Sequence, residues 1–342
     1  MLSRPSKPGQ TGSQAALVRT GDDMLVSVRD LTVAYRIGAR KKMQAVAGVS
    51  LDVEAGSTVA LIGESGSGKS SFAKSICGLG PRESGSIVLK GEEVFAARDL
   101  AATAGAKGIA MVFQDPVSAL DPQWPVWRSI TEPRVKRYPA PPSRHRERAQ
   151  ELALRVGLDA SLVDRKPHQL SGGQRQRVTI ARALAAEPSL VILDEAVSAL
   201  DVSVRNEVLG LLDRLKTEDG LTYLLISHDM GAVVQIATKI AVLYLGKLVE
   251  VGEAAALVRS PVHPYTQALL NSVPTFDAQR EIAVVEGETG DPANPPKGCR
   301  FHPRCPYRID RCSLEEPEPR LFDRRTVACH RSEDISQANR AL

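Results

Sequence analysis

The fold of this chain is decided by Gly63-Glu64-Ser65-Gly66-Ser67-Gly68-Lys69-Ser70, which matches the pattern G-x-x-x-x-G-K-[ST] of a phosphate-binding loop. Residues 58–62 before it form a β-branched apolar run suited to a buried strand. The residues from Ser71 onwards suit a helix that ends near Gly78 or Gly80. A strand, a glycine-rich turn and a helix N-terminus together predict an anion site, where backbone N–H groups and the helix dipole face phosphate oxygens.

The last two residues of this loop have specific expected roles. Lys69 is expected to reach the β- and γ-phosphates of a nucleoside triphosphate, and the Ser70 hydroxyl is expected to ligate Mg²⁺. The alternative is a Gly/Ser linker that happens to end in lysine. The strand and the helix on either side of the loop favour the phosphate site.

Length and composition exclude some classes of protein. The chain has 342 residues, of which 43% are hydrophobic, and a net charge of +4. This length predicts two domains, or one large domain with an extension. The mild charge and the aromatic content of 4% argue against a nucleic-acid binder. The chain contains no run of about 18 apolar residues that could span a membrane, and no secretory signal is expected.

The hydrophobic pattern predicts an α/β fold with a largely parallel sheet and an antiparallel edge layer. Strands are predicted at 25–33, 46–53, 58–62, 86–89, 93–95, 109–113, 190–193, 223–226, 240–245 and 247–251. Between the strands at 109–113 and 190–193, clustered prolines and an amphipathic helix at 143–156 indicate an inserted helical subdomain of about 115–186. Residues 1–23 are predicted to be a disordered tail, and residues 253–342 a Pro- and Cys-containing extension.

Polar residues follow several of the predicted buried strands. Asp194 would stand at the carboxyl end of a parallel strand, where ligands bind in open α/β sheets, and it is expected to hold Mg²⁺ directly or through water. Glu195 would lie beside the γ-phosphate, where a carboxylate can orient or deprotonate the attacking water. Gln114 and His228 also follow strands. Alone, each would be interpreted as a polar strand end, although His228 is placed to bond the γ-phosphate.

Together these residues resemble the ATP-binding cassette (ABC) ATPase family over about residues 24–252. The family signature Leu-Ser-Gly-Gly-Gln stands intact at 170–174, and Ser198-Ala199-Leu200-Asp201 matches the D-loop. The resemblance implies the P-loop NTPase cassette fold, ATP and Mg²⁺ as cofactors, and hydrolysis of MgATP.

The resemblance also implies a role for each matching residue. The catalytic residues would be Lys69, Glu195 and His228, and the Mg²⁺ ligands Ser70, Gln114 and Asp194. Tyr35 would stack on adenine. The other nucleotide-binding positions would be Gly63, Glu64, Ser65, Gly66, Ser67, Gly68, Ser71, Ser171, Gly172, Gly173, Gln174 and Asp201.

The signature has a physical rationale of its own. Ser171 and two glycines at a helix N-terminus make a second phosphate site, and one γ-phosphate cannot easily use both helix ends of one chain. The resemblance implies that two cassettes face each other, with each nucleotide between one P-loop and the other signature.

The extension narrows the resemblance. Ser260-Pro261-Val262-His263-Pro264-Tyr265-Thr266 and the segment 298–306 look like the tail of peptide-importer ATPases. The segment 195–203 is closer to the second ATPase subunit of such importers, although Ala196-Val197 replaces the usual Pro-Thr. The alternatives are an appendage for regulation or oligomerisation, a nickel importer, a soluble non-transport ABC ATPase and a non-hydrolysing cassette. The intact Glu195 and His228 argue against the last of these.

The importer resemblance implies partners and a location. It implies two integral membrane permeases, a second ABC ATPase subunit and an extracytoplasmic solute-binding protein, with no nucleic acid. The chain would then lie at the cytoplasmic face of the cell membrane. The helical lobe after Gln114 would receive a permease helix in a groove, and Trp124 and Trp127 would line either that groove or the core of the lobe.

Four cysteines near the C-terminus, Cys299, Cys305, Cys312 and Cys329, suggest a further site. Disulfides are not expected in a cytosolic chain, and the spacing fits the tight pairs of zinc sites poorly. Some peptide-importer ATPases with a similar tail carry a [4Fe–4S] cluster, so the hypothesis ranks iron–sulfur first, free thiols second and zinc third. Cys77 is excluded, because it lies on the predicted P-loop helix and belongs to the core.

Overall fold

The structure, a computed structural model, describes residues 24–38, 41–94, 108–135, 138–271 and 290–340. The disordered tail predicted at 1–23 lies outside these residues, as does Phe95 at the end of a predicted strand.

The strands among the described residues are, in chain order, β1 (Met24–Ile37), β2 (Lys41–Glu54), β3 (Thr58–Ile62), β4 (Ser84–Leu89), β5 (Glu92–Glu93), β6 (Ile109–Val112), β7 (Leu190–Asp194), β8 (Thr222–Ile226), β9 (Lys239–Tyr244), β10 (Lys247–Glu253), β11 (Arg320–Phe322) and β12 (Arg325–Val327). The helices are α1 (Lys69–Ile76), α2 (Val126–Val135), α3 (Pro142–Arg155), α4 (Gly172–Ala185), α5 (Val202–Asp219), α6 (Met230–Ile236), α7 (Ala254–Arg259), α8 (Pro264–Asn271), α9 (Asp310–Leu314) and α10 (Ser332–Arg340).

The larger sheet has the strand order β11-β12-β10-β9-β3-β8-β7-β6. Its strands from β9 to β6 are parallel, and β10, β12 and β11 continue it antiparallel at one edge. A second, antiparallel sheet has the order β2-β1-β4-β5. The predicted fold class, a largely parallel sheet with an antiparallel layer, is therefore confirmed.

Strand β3 is buried on both of its faces, because apolar layers cover both sides of the larger sheet. Val59 and Leu61 pack with α1 and the antiparallel sheet, whereas Ala60 and Ile62 pack with α4, α5 and the helical lobe. Successive side chains of a strand point to opposite faces, so a continuous apolar run is what a strand between two cores requires. This burial fixes the position of the loop that follows β3.

The predicted amphipathic helix at 143–156 is present as α3. Its predicted apolar positions, Ala149, Leu152, Ala153 and Val156, are all fully buried. In the same lobe, Trp127 packs against the main core, while Trp124 is half-buried under the guanidinium of Arg128 at 4.0 Å from its ring. Both tryptophans are half-buried, and of the two only Trp127 packs against the main core.

The C-terminal extension buries more than its polar composition suggests. Tyr265 and Phe301 are fully buried against Tyr244 of β9, with ring centroids 4.5 and 5.3 Å from that tyrosine. In addition, β12 pairs with β10 and so extends the larger sheet. The buried aromatic residues stand singly in the sequence, so no periodic pattern indicates them.

Candidate nucleotide-binding site

Backbone atoms of neighbouring strands pack closely against the glycine-rich loop between β3 and α1. Gly63 has a φ of 153° and Gly68 a φ of 106°, a region that residues with a Cβ rarely adopt. A Cβ at Gly63 would overlap the carbonyl oxygen of Leu243, and one at Gly68 would overlap that of Ala45. Gly68 is also the N-cap of α1 and provides no side-chain cap. Because Gly68 has no side chain to cap the first N–H groups of α1, these groups can donate hydrogen bonds to a phosphate.

Lys69 is buried and turned back onto the loop. Its ammonium donates hydrogen bonds to the carbonyl oxygens of Gly63 (2.7 Å) and Glu64 (2.8 Å), with the Ser67 hydroxyl at 3.4 Å. Burial lowers the pKa of Lys69, while the charges of Glu195, Asp194 and Glu64 oppose that shift. The ammonium is thus a desolvated cation at the point where the sequence predicts phosphate oxygens.

A hydroxyl and a carboxylate meet beside this lysine. The Ser70 hydroxyl donates a hydrogen bond to Oδ1 of Asp194 over 2.9 Å. Asp194 is 6% exposed, and burial raises the pKa of its carboxyl group. Mg²⁺ binds oxygen ligands and is held in proteins chiefly through carboxylates, and a desolvated carboxylate gains most from a cation. Ser70 and Asp194 therefore fit Mg²⁺ chemically.

Glu195 stands between two polar side chains from neighbouring strands. The Gln114 amide donates a hydrogen bond to its Oε2 over 2.8 Å, and Nδ1 of His228 lies 3.3 Å from its Oε1. Gln114 follows β6, Glu195 follows β7 and His228 follows β8, which are adjacent parallel strands. Glu195 itself has a φ of 49°, in the left-handed region that side chains seldom adopt. These three side chains meet at the carboxyl edge of the sheet, beside the phosphate loop.

Tyr35 lies next to the same helix. Its ring is half-buried at the end of β1, and its hydroxyl donates to Oγ of Ser71 on α1 over 3.3 Å. The structure therefore places the Tyr35 hydroxyl against α1, the helix that follows the phosphate loop. The remaining loop positions Glu64, Ser65, Gly66 and Ser67 lie on the turn between β3 and α1.

The signature segment forms the exposed start of α4. Ser171 is the N-cap, and its hydroxyl accepts from the Gln174 backbone N–H while the Gln174 side chain accepts from the Ser171 N–H, over 3.2 and 2.9 Å. Gly172 faces open space, and a Cβ on Gly173 would lie 2.6 Å from Val204 of α5.

Asp201 caps the neighbouring helix α5. Its carboxylate accepts from the Val204 N–H over 2.9 Å, and this bond and that from the Ser203 hydroxyl hold the pKa of Asp201 below its usual value. The signature and the D-loop thus present two helix N-termini side by side.

Comparison with known proteins matches both parts of the chain. The description "ABC transporter" matches residues 46–198, and "Oligopeptide/dipeptide transporter, C-terminal region" matches residues 249–312. The chain is 40% identical over 326 residues to the oligopeptide transport ATP-binding protein OppF of Escherichia coli, covering 91% of this chain and 97% of the relative. The chain belongs to the ATP-binding subunits of the ABC transporters. The resemblance inferred from its motifs is therefore confirmed.

Two further relatives support this assignment. The ABC subunit is 38% identical over 320 residues to the di/tripeptide transport ATP-binding protein DppF of Pseudomonas aeruginosa, covering 92% of this chain and 99% of the relative. A solved dimeric ATP-binding cassette in a post-hydrolysis state, bound to ADP and phosphate, superposes with a TM-score of 0.59 at 29% identity. That match covers 67% of this chain and 98% of the cassette. The cassette fold is thereby confirmed, and the chain is an ATPase.

The predicted [4Fe–4S] cluster of this ABC subunit is wrong. Cys299, Cys305, Cys312 and Cys329 are all described, and the described part of the chain contains no group of three or more His, Cys, Asp or Glu residues that could hold a metal ion. Burial raises the pKa of Cys299 to about 11 and that of Cys329 to about 12. The alternative of free thiols agrees with the structure.

Sequence reasoning missed two residues of the extension that contact the P-loop. Tyr265 and Arg304 both bond to Glu64, from 201 and 240 residues away in the sequence. No local pattern signals such a contact. None of the helices that the structure describes combines the length and the apolar character of a membrane span.

Proposed function

We propose that this chain is the ATP-hydrolysing subunit that powers ABC-type import of peptides across the cytoplasmic membrane. The observation that carries this proposal is the oligopeptide/dipeptide transporter C-terminal region at residues 249–312, joined to an ABC cassette in one chain. Relatives that match over most of their length are named for the transport of oligopeptides and of di- and tripeptides.

In this proposal, Glu195 acts on the attacking water. Its carboxylate is oriented by the Gln114 amide and by His228, and it can accept the proton of a water placed in line with the γ-phosphate. His228 would also bond the γ-phosphate. Lys69 would exchange its bonds to the loop carbonyls for β- and γ-phosphate oxygens, which is electrostatic stabilisation by a preplaced cation.

The metal-binding roles follow from the donor set. Ser70, Asp194 and Gln114 would hold Mg²⁺, as hydroxyl, carboxylate and amide oxygens. When bound, Mg²⁺ would neutralise charge on the β- and γ-phosphate oxygens. The existing Ser70–Asp194 hydrogen bond holds two of these donors together.

The adenine and the second phosphate contact complete the proposed site. Tyr35 would stack on the adenine. Ser171, Gly172, Gly173 and Gln174 would contact the nucleotide of a facing cassette, and their exposure at the start of α4 supports this arrangement. We assign the facing cassette to a second ABC ATPase subunit, so that ATP binding closes the pair and hydrolysis reopens it.

The proposed division of the chain follows these roles. Residues 24–252 would form the nucleotide-binding domain, 115–186 its helical subdomain and 253–342 the extension. The helical subdomain would receive a permease helix, and Trp124 is the better placed tryptophan for that contact. Two permeases and an extracytoplasmic solute-binding protein complete the transporter. The chain would then sit at the cytoplasmic face of the membrane and bind no nucleic acid.

Uptake assays in cells that lack this chain test the function. Labelled dipeptides, longer peptides and nickel are supplied separately, with and without the restored gene. We expect restored uptake of one of the peptide classes. Restored uptake of nickel alone, or of none of the three, would contradict peptide import.

A further inference from the structure

The extension holds a residue of the P-loop by both its side chain and its backbone. The two terminal nitrogens of Arg304 donate to the two carboxylate oxygens of Glu64, over 2.9 and 3.1 Å. The hydroxyl of Tyr265 accepts a hydrogen bond from the Glu64 backbone N–H over 2.7 Å. Two parallel N–H···O bonds fix the orientation of a carboxylate as well as its charge. Residues outside the cassette therefore contact both the side chain and the backbone of the P-loop.

A rigid base supports this contact. The rings of Tyr244, Tyr265 and Phe301 are fully buried against one another, with centroids 4.5 to 5.4 Å apart. The guanidinium of Arg304 lies 6.0 Å from the Tyr244 ring and 5.8 Å from the Phe301 ring, and its side chain is 9% exposed. A guanidinium desolvated in this way depends strongly on its carboxylate partner. Arg304 is thus preplaced by packing rather than drawn to Glu64 from solvent.

The position of Glu64 explains why its charge matters. Its carbonyl oxygen accepts a hydrogen bond from Lys69, the residue proposed to bind the phosphates, over 2.8 Å. A carboxylate on this loop lies close to where the polyanionic triphosphate binds, and like charges in a partly desolvated site repel. Arg304 offsets that charge.

We propose that Arg304 is a positioning residue for the nucleotide: it holds Glu64 and offsets its charge, so that the extension sets the affinity of the P-loop for ATP. The extension then serves the nucleotide site directly, in addition to any contact with other subunits. This inference rests on the proposed function only in using the same ATP site.

A double-mutant cycle on the full chain tests the inference. Affinity for a fluorescent ATP analogue with Mg²⁺ is measured for the wild type, Arg304→Gln, Glu64→Gln and the double variant. We expect Arg304→Gln to weaken binding about fivefold or more. Because the loss comes from the exposed charge of Glu64, the double variant should return to within about twofold of the wild type. If Arg304 only packs the extension, the double variant stays as weak as Arg304→Gln.

Further variants separate positioning from folding. Arg311→Gln is the matched control, because Arg311 pairs with Glu315 on the surface of the same extension. It should leave affinity unchanged. Tyr265→Phe removes the acceptor of the Glu64 N–H and should weaken binding in the same direction as Arg304→Gln; it carries the test if Arg304→Gln does not fold. In the assembled transporter, Arg304→Gln should raise KM for ATP with little change in kcat.

The outcomes distinguish this inference from the proposed function. If the wild type binds ATP and neither Arg304→Gln nor Tyr265→Phe weakens that binding, the inference is overturned while peptide import stands. If the cycle behaves as expected and no peptide is transported, the proposed function fails alone. Failure of the wild type to bind ATP would overturn both.

Discussion

The side-chain amide of Gln114 donates a hydrogen bond to the carboxylate of Glu195 over 2.8 Å, so the segments after two neighbouring parallel strands meet at one acid. His228 approaches the other oxygen of the same carboxylate, with its Nδ1 at 3.3 Å. A carboxylate held from two sides needs little reorganisation to face a water molecule. Glu195 is therefore the residue whose proposed role as proton acceptor is tested first.

Replacing Glu195 by glutamine should separate binding from turnover. Glutamine keeps the shape of the side chain and an oxygen for the Gln114 amide, but it cannot accept a proton. We expect Glu195→Gln to retain ATP binding, to trap the closed cassette pair and to lower steady-state hydrolysis by about 100-fold or more. Phosphate release by the assembled transporter measures the loss.

Glu218→Gln is the control for this variant, since Glu218 is exposed on α5, outside the site. It should hydrolyse ATP at the wild-type rate. Unchanged hydrolysis by Glu195→Gln would contradict the proposed role of Glu195 in activating the attacking water.

Asp194→Asn should stabilise the chain while damaging its function. Burial raises the pKa of Asp194 above the ordinary value of 3.8, so its charged form is penalised in the folded state. That penalty is absent below the ordinary value and fully present above the raised pKa. Without nucleotide at neutral pH, the variant should unfold at a higher temperature than the wild type, and the gap should close as the pH falls towards 4.

The same variant should lose the stabilisation by MgATP, because an amide is a poorer ligand for Mg²⁺ than a carboxylate. Thermal unfolding with and without MgATP measures both effects. Asp213→Asn, on the exposed side of α5, serves as the control. The proposed sign of the pH dependence would be contradicted if the wild type were more stable than Asp194→Asn at neutral pH and less stable than it near pH 4.

The buried ion pair between Glu250 and Arg325 should anchor the extension. The two side chains are 0% and 7% exposed, and Glu250 also accepts hydrogen bonds from the backbone N–H groups of Val262 and His263, over 3.1 and 2.9 Å. Removing one partner leaves a buried charge, so Arg325→Ala should lower the free energy of unfolding by about 3–5 kcal/mol. Denaturant unfolding and limited proteolysis of the extension measure the loss.

The control for the ion pair is Arg311→Ala, which breaks the exposed pair with Glu315. Such surface pairs contribute about 0.2–1 kcal/mol. Equal losses for the two variants would show that burial of the Glu250–Arg325 pair has no energetic effect.

Gly68→Ala should destabilise the chain more than the replacement of Gly56 by alanine. Its Cβ would overlap the carbonyl oxygen of Ala45, whereas a Cβ on Gly56, which also has a positive φ, would meet nothing within 4 Å. Gly56→Ala should therefore cost only about 1–2 kcal/mol of backbone strain. We expect Gly68→Ala to cost about 3 kcal/mol or more. Similar unfolding free energies for both variants would contradict the close contact with β2.

Much of the nucleotide site could be predicted because its residues follow strands. The carboxyl ends of parallel strands converge at one edge of the sheet, so Gln114, Asp194, Glu195 and His228 could be grouped from their positions after apolar runs. The structure places the three that follow different strands, Gln114, Glu195 and His228, in one cluster. The P-loop could be predicted because its glycines, lysine and serine are contiguous.

The extension could not be predicted in the same way. The contact between Arg304 and Glu64 joins residues 240 positions apart, and neither belongs to a repeated pattern. The cysteine hypothesis failed because the spacing of four cysteines in the sequence does not reveal whether their side chains come together, and the described residues contain no metal-binding group. The buried aromatic residues around Tyr265 could not be predicted either, because single aromatic residues form no periodic pattern.

The most direct test of peptide import uses vesicles that contain the transporter assembled with this chain. Uptake of a labelled peptide is measured with ATP supplied on the side of the chain, for the wild type and for Glu195→Gln. We expect ATP-dependent uptake with the wild type and a loss of about 100-fold or more with the variant. Equal uptake with both chains, or wild-type uptake that does not need ATP, would contradict the claim that ATP hydrolysis by this chain powers peptide import.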